Sequence, residues 1–407
     1  MYAIAEEEMS SLDDDCEAFS LLKASWKYQA RQFFQNSTLH GVRYIRQECR
    51  PFYERFMWFC FTLTGAISTL IIIASVWNKF QTNPTITGLD TDFHNWDVMF
   101  PAVWLCPLDS FNESQADKFI HTMWPETEEE SKKYRHVAQV LANLSFTNLY
   151  SIRDVPPDVA TKKKEMKRLL KQVVYRCEDL LTDCTFANLG FDCCSLWQAV
   201  HTEVGHCYAF NSRQAFLRNH SNAELTFSPK TISATDESWS LKFNMKNLKM
   251  KGEDSSSAPV KVYLLPADDI PVVDIFPQHM WDRHVSKLSF SLKETYTTED
   301  TRQLSISQRQ CIYKDEVKLD TSPMYTYTAC RSECRMARAK KLCGCVPFFY
   351  PSSEQFKKCN LDGLKCLGHQ PEGAWHRLGC KCELGCANTV YEVAKLTDTR
   401  SVHPGHW

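Results

Sequence analysis

Of the chain's 19 cysteines, Cys16, Cys49 and Cys60 come early, which leaves 16 between Cys106 and Cys386; their spacing allows two chemistries. Cys343-Gly-Cys345 and Cys380-Lys-Cys382 bring thiols close enough to suggest shared zinc. Structural zinc sites favour about two to four residues between paired ligands, so a single intervening residue is a poor fit. The rival is oxidation to disulfides, the expected fate of an even set of thiols outside the cytosol. Tyr327 to Leu342 reads as a basic amphipathic helix with Cys330 and Cys334 one turn apart on one face, advancing roughly 6 Å. Cys380 and Cys382, placed on a strand, share a face and advance roughly 6.6 Å. A helix beside that strand can therefore be stapled by two parallel rungs, each worth about 2 to 4 kcal/mol. The region is expected to act as a stiff lever holding no metal and no cofactor.

Other residues offer weaker chemistry. His201 and His206 lie near Cys207, and histidine changes charge near physiological acidity, so the pair is a candidate pH sensor; ordinary polar contacts are the competing expectation. Lys162 to Lys164 form a basic cluster suited to anions or, more simply, to a solvated helix face. The sequence has no HExxH, no GxSxG and no Gly-rich phosphate loop, which argues against an enzyme. A formal net charge of -2 gives no attraction for nucleic acid. Sequons at Asn112, Asn143 and Asn219 are candidate glycan sites, and Asn36 carries a fourth.

The elements that must hold these residues begin with an apolar run. Phe56 to Trp77 is 22 residues without a charge, roughly 33 Å as a helix and enough to cross the hydrocarbon core. A secretory signal has a shorter apolar stretch nearer the start, and a buried core helix normally shows a polar stripe. Trp58 and Trp77 suit the two headgroup belts. Arg43, Arg46, Arg50 and Arg55 precede the run closely while only Lys79 follows it, so the N-terminus is expected in the cytosol. The 16 later cysteines and the three later sequons then share the extracellular side; Asn36 is expected to stay bare.

The first 20 or so residues are acidic (Glu6 to Glu8, Asp13 to Asp15) and read as disordered. Residues 25 to 50 interleave aromatic and aliphatic side chains with basic ones, as an interfacial or re-entrant element would. Beyond the span, one multi-lobed domain is expected. Asp97 to Cys106 reads as a buried strand, and 113 to 180 as helical. From Ala223 to Lys318 the pattern is of strands, interrupted by a mobile connection at 250 to 259.

Six motifs occur in an order that resembles the degenerin/epithelial sodium channel superfamily, most closely its insect pickpocket branch. They are FFQNSTLHGVRYI with His40-Gly41; FPAVWLCP with Cys106; GHCYAFN at Gly205 to Asn211; RQC at Arg309 to Cys311 with CRSEC; CGCVPFFYP; and CKCELGCANTVY, ending at Tyr391. The chain departs from the pattern at Trp104, where the box usually has Thr, at Pro107, and in extra cysteines Cys177 and Cys193 or Cys194.

The resemblance implies an α+β fold: a single N-terminal transmembrane helix and a large disulfide-rich extracellular domain with palm strands, a helical finger from about 110 to 240 and a stapled thumb from about 312 to 386. Residues 1-55 would be cytosolic, 56-77 the span and 78-407 extracellular. Family pairing would join Cys106 to Cys207, Cys311 to Cys386, Cys330 to Cys382, Cys334 to Cys380, Cys343 to Cys366 and Cys345 to Cys359. Cys184 would take Cys193 or Cys194, and Cys177 the one remaining. His40 and Gly41 would act in gating near the inner mouth. The implied function is a subunit of an amiloride-sensitive sodium channel gated by ligand, protons or force, in a homo- or hetero-trimer within the plasma-membrane bilayer. A second span would line the pore; EVAKLTDTRSVHPGHW after Tyr391 is too polar and too short for one. The alternative expectation is therefore a single-span, non-conducting modulatory or receptor-like protein.

Overall fold

A computed structural model describes residues 20–47, 50–82, 84–86, 88–92, 97–123, 128–155, 169–219, 227–233, 239–246, 259–281, 284–351, 353–371 and 379–400. The acidic start, Cys16, Cys49, Lys162 to Lys164 and most of the 250–259 connection lie outside these residues. The chain divides into two units, Met1–Ile86 and Thr87–Trp407.

In the first unit, a helix over 20–36 and a short helical turn, Val42–Ile45, precede α1 at Phe52–Thr82. Pro51 starts α1 by accepting from the Glu54 and Arg55 amides, a position where its missing donor costs nothing. None of the side chains of α1 is buried, and a helix that is apolar on all sides belongs in lipid. At 31 residues it is long enough to cross a membrane and extends the charge-free run at both ends.

The second unit contains, in order, β1 (Ala102–Pro107), α2 (Glu113–Met123), α3 (Glu128–Ala142), β2 (Leu181–Phe186), β3 (Gln198–Thr202), β4 (Gly205–Phe210), α4 (Arg213–Asn219), β5 (Leu241–Met245), β6 (Val260–Leu265), β7 (Gln278–Met280), β8 (His284–Tyr296), β9 (Cys311–Ile312), α5 (Tyr327–Cys343), α6 (Leu361–Gly368), β10 (Leu384–Gly385) and β11 (Ala387–Arg400). The palm is an antiparallel sheet in the order β7-β6-β1-β4-β3. β1 is buried at every position. Strand alternation sends Val103 and Leu105 into a core with Tyr208, Phe210 and Val262, and Ala102, Trp104 and Cys106 into a second core with Tyr263 and Leu265 on the other face. Trp104 lies between Ala209 on one neighbouring strand and Tyr263 on the other, in a core that also holds the small Ala102 and Ala215.

The segment 110–240 is not helical throughout. After α3 come a 3-10 turn at Leu149–Asp154, a helix over 169–173 and then β2 to β4, two of which complete the palm. The reason is period: QAVHT and GHCYAF bury alternate or successive positions of a sheet and lack a helical stripe. A two-stranded ribbon, β8 with β11, runs out from the palm in antiparallel register from Tyr296↔Ala387 to His284↔Arg400.

The thumb helix α5 is capped by Thr326, whose hydroxyl accepts from the Ala329 amide at 3.2 Å, and ends at Gly344 in the left-handed conformation. Its buried face and that of α6 share one core with the finger: Met336 and Ala339 of α5 and Leu361 and Leu364 of α6 lie in one cluster with Ile120, Val137, Leu141 and Ile152. α6 lies so close to the Leu149–Asp154 turn that a Cβ on Gly368 would come within 2.4 Å of Ile152 Cγ2. The expectation of a strand at Cys380 to Cys382 is corrected: the segment forms no ladder there, and regular pairing begins only at β10, which runs parallel to β9. Two disulfides hold it to α5, so it needs no hydrogen-bonded neighbour to be fixed.

Candidate functional site

Three places in the molecule combine constraint with chemistry. In the first unit, Gly41 has φ of 89° and is buried. A Cβ there would meet Thr62 Cγ2 at 2.8 Å and Trp58 Cε3 at 3.0 Å. Both the backbone conformation and the close approach therefore demand glycine. His40 sits edge-on to Trp58 at 6.1 Å between centroids, Tyr44 packs on the same indole at 5.0 Å, and the Arg50 guanidinium lies 4.6 Å over Tyr44. The pre-span segment thus folds back onto the first turns of α1, using Trp58 as a platform as well as a potential headgroup anchor.

The second place is the thumb frame. Eight disulfides join Cys106 to Cys207, Cys177 to Cys194, Cys184 to Cys193, Cys311 to Cys386, Cys330 to Cys382, Cys334 to Cys380, Cys343 to Cys366 and Cys345 to Cys359. All the thiols that zinc would need are consumed in these bonds. Among the described residues Cys60 alone is a free thiol. At the base of the thumb, Thr297 Oγ1 donates to the Cys386 carbonyl at 2.9 Å, and Tyr296 donates to Asp90, in the segment that follows α1 in sequence. That hydrogen bond holds the Asp90 carboxyl below its ordinary range. Farther along the ribbon, the Tyr391 hydroxyl donates to the Met99 carbonyl at 2.9 Å, pinning β11 to the palm. Asn211, at φ 58°, closes the GHCYAFN motif by donating to the Phe100 carbonyl and accepting from the Lys230 amide.

The third place joins thumb and palm through buried charge. Glu203, in the turn between β3 and β4, is 1% exposed. Arg335 of α5 reaches its two carboxylate oxygens at 3.2 Å, and Ser332 Oγ donates to Oε1 at 3.1 Å. The Val273 amide donates to Oε2 at 3.3 Å. Arg335 also pairs with Asp274, as does Arg331 at 3.3 Å. Burial raises the Glu203 carboxyl above its ordinary pKa, against the opposing pull of Arg335. A few residues away, Asp268 lies 3.1 Å from both Arg213 and Lys314, and Thr328 of α5 donates to Asp269. Sequence reasoning passed over Arg335. The signal was available: Thr328, Ser332, Arg335, Met336 and Ala339 form the buried stripe of α5, and one of them is charged.

The histidines meet differently from either expectation. His201 and His206 face each other across β3 and β4 with ring centroids 4.5 Å apart. Neither nitrogen of the buried His206 ring has a hydrogen-bond partner among the described residues. Burial lowers its pKa to about 4, and burial, then His206 and Lys358, lower that of His201. The pair is therefore neutral at physiological pH. Of the sequons, Asn219 is exposed, Asn143 donates to Asp109 Oδ1 at 2.8 Å, and Asn112 is buried with its Oδ1 accepting from the start of α2.

A helix long and apolar enough to cross a membrane, followed by a disulfide-braced domain of palm, finger and thumb, fits a membrane channel subunit. The family described as Amiloride-sensitive sodium channel matches residues 33–404, and the chain belongs to it. This is the degenerin/epithelial sodium channel family, whose members are ion channels and not enzymes. The chain is 25% identical over 404 residues to "Sodium channel protein Nach" of Drosophila ananassae, covering 95% of this chain and 75% of that protein. It is 22% identical over 393 residues to "Pickpocket protein 19" of Drosophila melanogaster (89% and 76%) and 24% identical over 399 residues to "Acid-sensing ion channel 1C" of Danio rerio (88% and 66%).

Two stability measurements follow from the geometry. Arg335→Met, which strands Glu203 in the interior, lowers unfolding stability by about 3 to 5 kcal/mol, whereas adding Glu203→Leu recovers most of the loss; additive losses in denaturant titration would refute the pairing. His206 has its folded pKa depressed, so its contribution is complete above the unfolded value near 6.5 and is lost as pH falls toward 4. The difference amounts to about 3 kcal/mol. Thermal midpoints of His206→Phe are expected to fall less over that window than those of the parent protein.

Proposed function

We propose that the chain is a subunit of a plasma-membrane sodium channel that is blocked by amiloride and opened by ligand, protons or force. In this reading residues 1-55 are cytosolic, 56-77 span the bilayer and 78-407 are extracellular, with the finger at about 110–240 and the thumb at about 312–386. Three subunits, alike or mixed, surround the sodium path. The observation that carries the reading is the family match over 33–404, and the names of relatives that conduct sodium or sense acid support it. The mechanism is transmission of movement. A ligand or force displaces the thumb; the disulfides keep α5 and the 380–386 segment moving together; Arg335 and Glu203 pass the displacement to the palm hairpin.

Acid opening through the His201–His206 pair is the least supported stimulus, because both rings stay neutral until well below neutral pH. At the cytosolic side, His40 and Gly41 set the angle of the pre-span segment on α1, which is how the pair acts in gating.

Expressed with a related subunit, the chain is expected to add an amiloride-blocked sodium current. Gly41→Ala forces a Cβ into Trp58 and Thr62 at a conformational cost of about 1 to 2 kcal/mol and is expected to cut open probability at equal surface expression. Unchanged single-channel gating in that variant would remove the motif from the mechanism. For the glycans, the exposed Asn219 is the favoured site: Asn219→Gln is expected to increase gel mobility and Asn112→Gln to leave it unchanged, with the reverse pattern refuting the assignment.

A further inference from the structure

The helix over 20–36 presents large side chains that nothing covers. Among its residues Ala30 and Phe34 alone are half-buried, and the others are exposed. Leu22, Trp26 and Phe33 share one side at helical spacing and stand 59%, 75% and 56% exposed. That side is not a continuous apolar stripe: the exposed Gln29 lies on it, about one turn from Trp26 and one from Phe33. Two aromatic anchors therefore stand roughly 10 Å apart with an amide side chain between them. Lys23, Lys27 and Arg31 run beside them at steps of four, and the helix carries no acidic residue. An isolated helix of this length is marginal in water, so a partner that covers the anchors stabilises it.

We propose that Leu22, Trp26 and Phe33 dock into the apolar groove of a calcium-loaded EF-hand sensor protein. Calcium opens such a sensor and exposes a groove rich in methionine, whose flexible thioethers adapt to large aromatic guests. A helix seated in a groove is held by separate anchors at steps of three, four and seven residues. Leu22 to Trp26 is a step of four, and Trp26 to Phe33 a step of seven. Gln29 is out of place in a uniformly apolar contact but acceptable at the rim between two pockets. The charge fits the same occupant: calcium loops are built from carboxylates, and a basic amphipathic helix is the composition of a sensor's target. The docking segment ends just before the His40-Gly41 turn, which packs on Trp58 and Thr62 at the start of α1. Calcium-dependent loading of the helix would therefore bear directly on that turn. The inference rests on the cytosolic placement of the N-terminus, the side on which calcium sensors of this class operate.

The test uses the full chain in phosphatidylcholine nanodiscs and, as probe, calmodulin carrying an environment-sensitive fluorophore. Titration in calcium is expected to give saturable binding with a blue shift of the label, and chelation of the calcium to abolish it. Trp26→Ala with Phe33→Ala is expected to weaken binding about thirtyfold or more, the effect of removing anchor side chains from an interface. Lys23→Gln with Lys27→Gln is expected to weaken it severalfold, and less so in high salt. All four side chains are exposed, so these variants keep the fold. No binding, binding that survives chelation, or no effect of either pair of substitutions overturns the proposal. Binding in detergent that is lost in the discs would assign the face to the bilayer, and binding that appears only after deletion of residues 1–19 would assign it to the acidic start of the chain; each also overturns it. An N-terminal epitope tag reached by antibody on unpermeabilised cells would instead refute the topology, with binding in the discs unchanged.

Discussion

The disulfide-rich unit depends on a strand that is buried on both faces. β1 has no polar side to give to water, so it must be flanked by β6 and β4 and covered above and below. One covering core draws in β2 and the Phe186, Phe191 and Trp197 rings; the other draws in α4 and the loop that carries Ile270 and Val272. Cys106–Cys207 then locks the central pair at a position the hydrogen-bond register already brings together. Large and small residues are mixed around this strand: Trp104 is paired with Tyr263 on one side and Ala209 on the other, and Ala102 and Ala215 share its core.

The thumb is held by means of different kinds. Disulfides limit what α5 can do relative to the segments around it, a covalent restraint largely indifferent to solvent. The core shared with α2 and α3 is non-directional and resists separation of thumb from finger. The Arg335–Glu203 pair adds orientation, since a buried guanidinium and carboxylate tolerate little misalignment. Together they make a thumb that is stiff within itself and attached to the palm at a geometrically defined point.

Much of this was legible in the sequence, and the reasons are local. The span announced itself by length and lack of charge, and β1 by an unbroken apolar run. α5 was readable from its amphipathic period to within a residue of its end. What escaped depended on contacts between distant segments. Glu203 in a two-stranded turn looks like any solvent-facing acid until α5 is laid over it. The partnerless ring of His206 has no sequence signature, because nothing local tells a buried imidazole from an exposed one. The Cys380–Cys382 segment was expected as a strand because alternation permits one; its fixation by side-chain bonds made a ladder unnecessary. Trp58 was read as a lipid anchor from its position, and only the folded-back turn reveals its second role under Gly41.

Cys193 and Cys194 are neighbours bonded to different partners, Cys184 and Cys177. A slip of one residue would exchange them, and thiol chemistry by itself hardly distinguishes the isomers. Packing does: Cys193 is buried within the palm core while Cys194 is half-buried at its edge. Oxidation of this knuckle is therefore proofread by hydrophobic assembly. Until the core around Trp197 and Leu181 has formed, thiol exchange can still interchange the two bonds; once it has, packing favours the pairing seen.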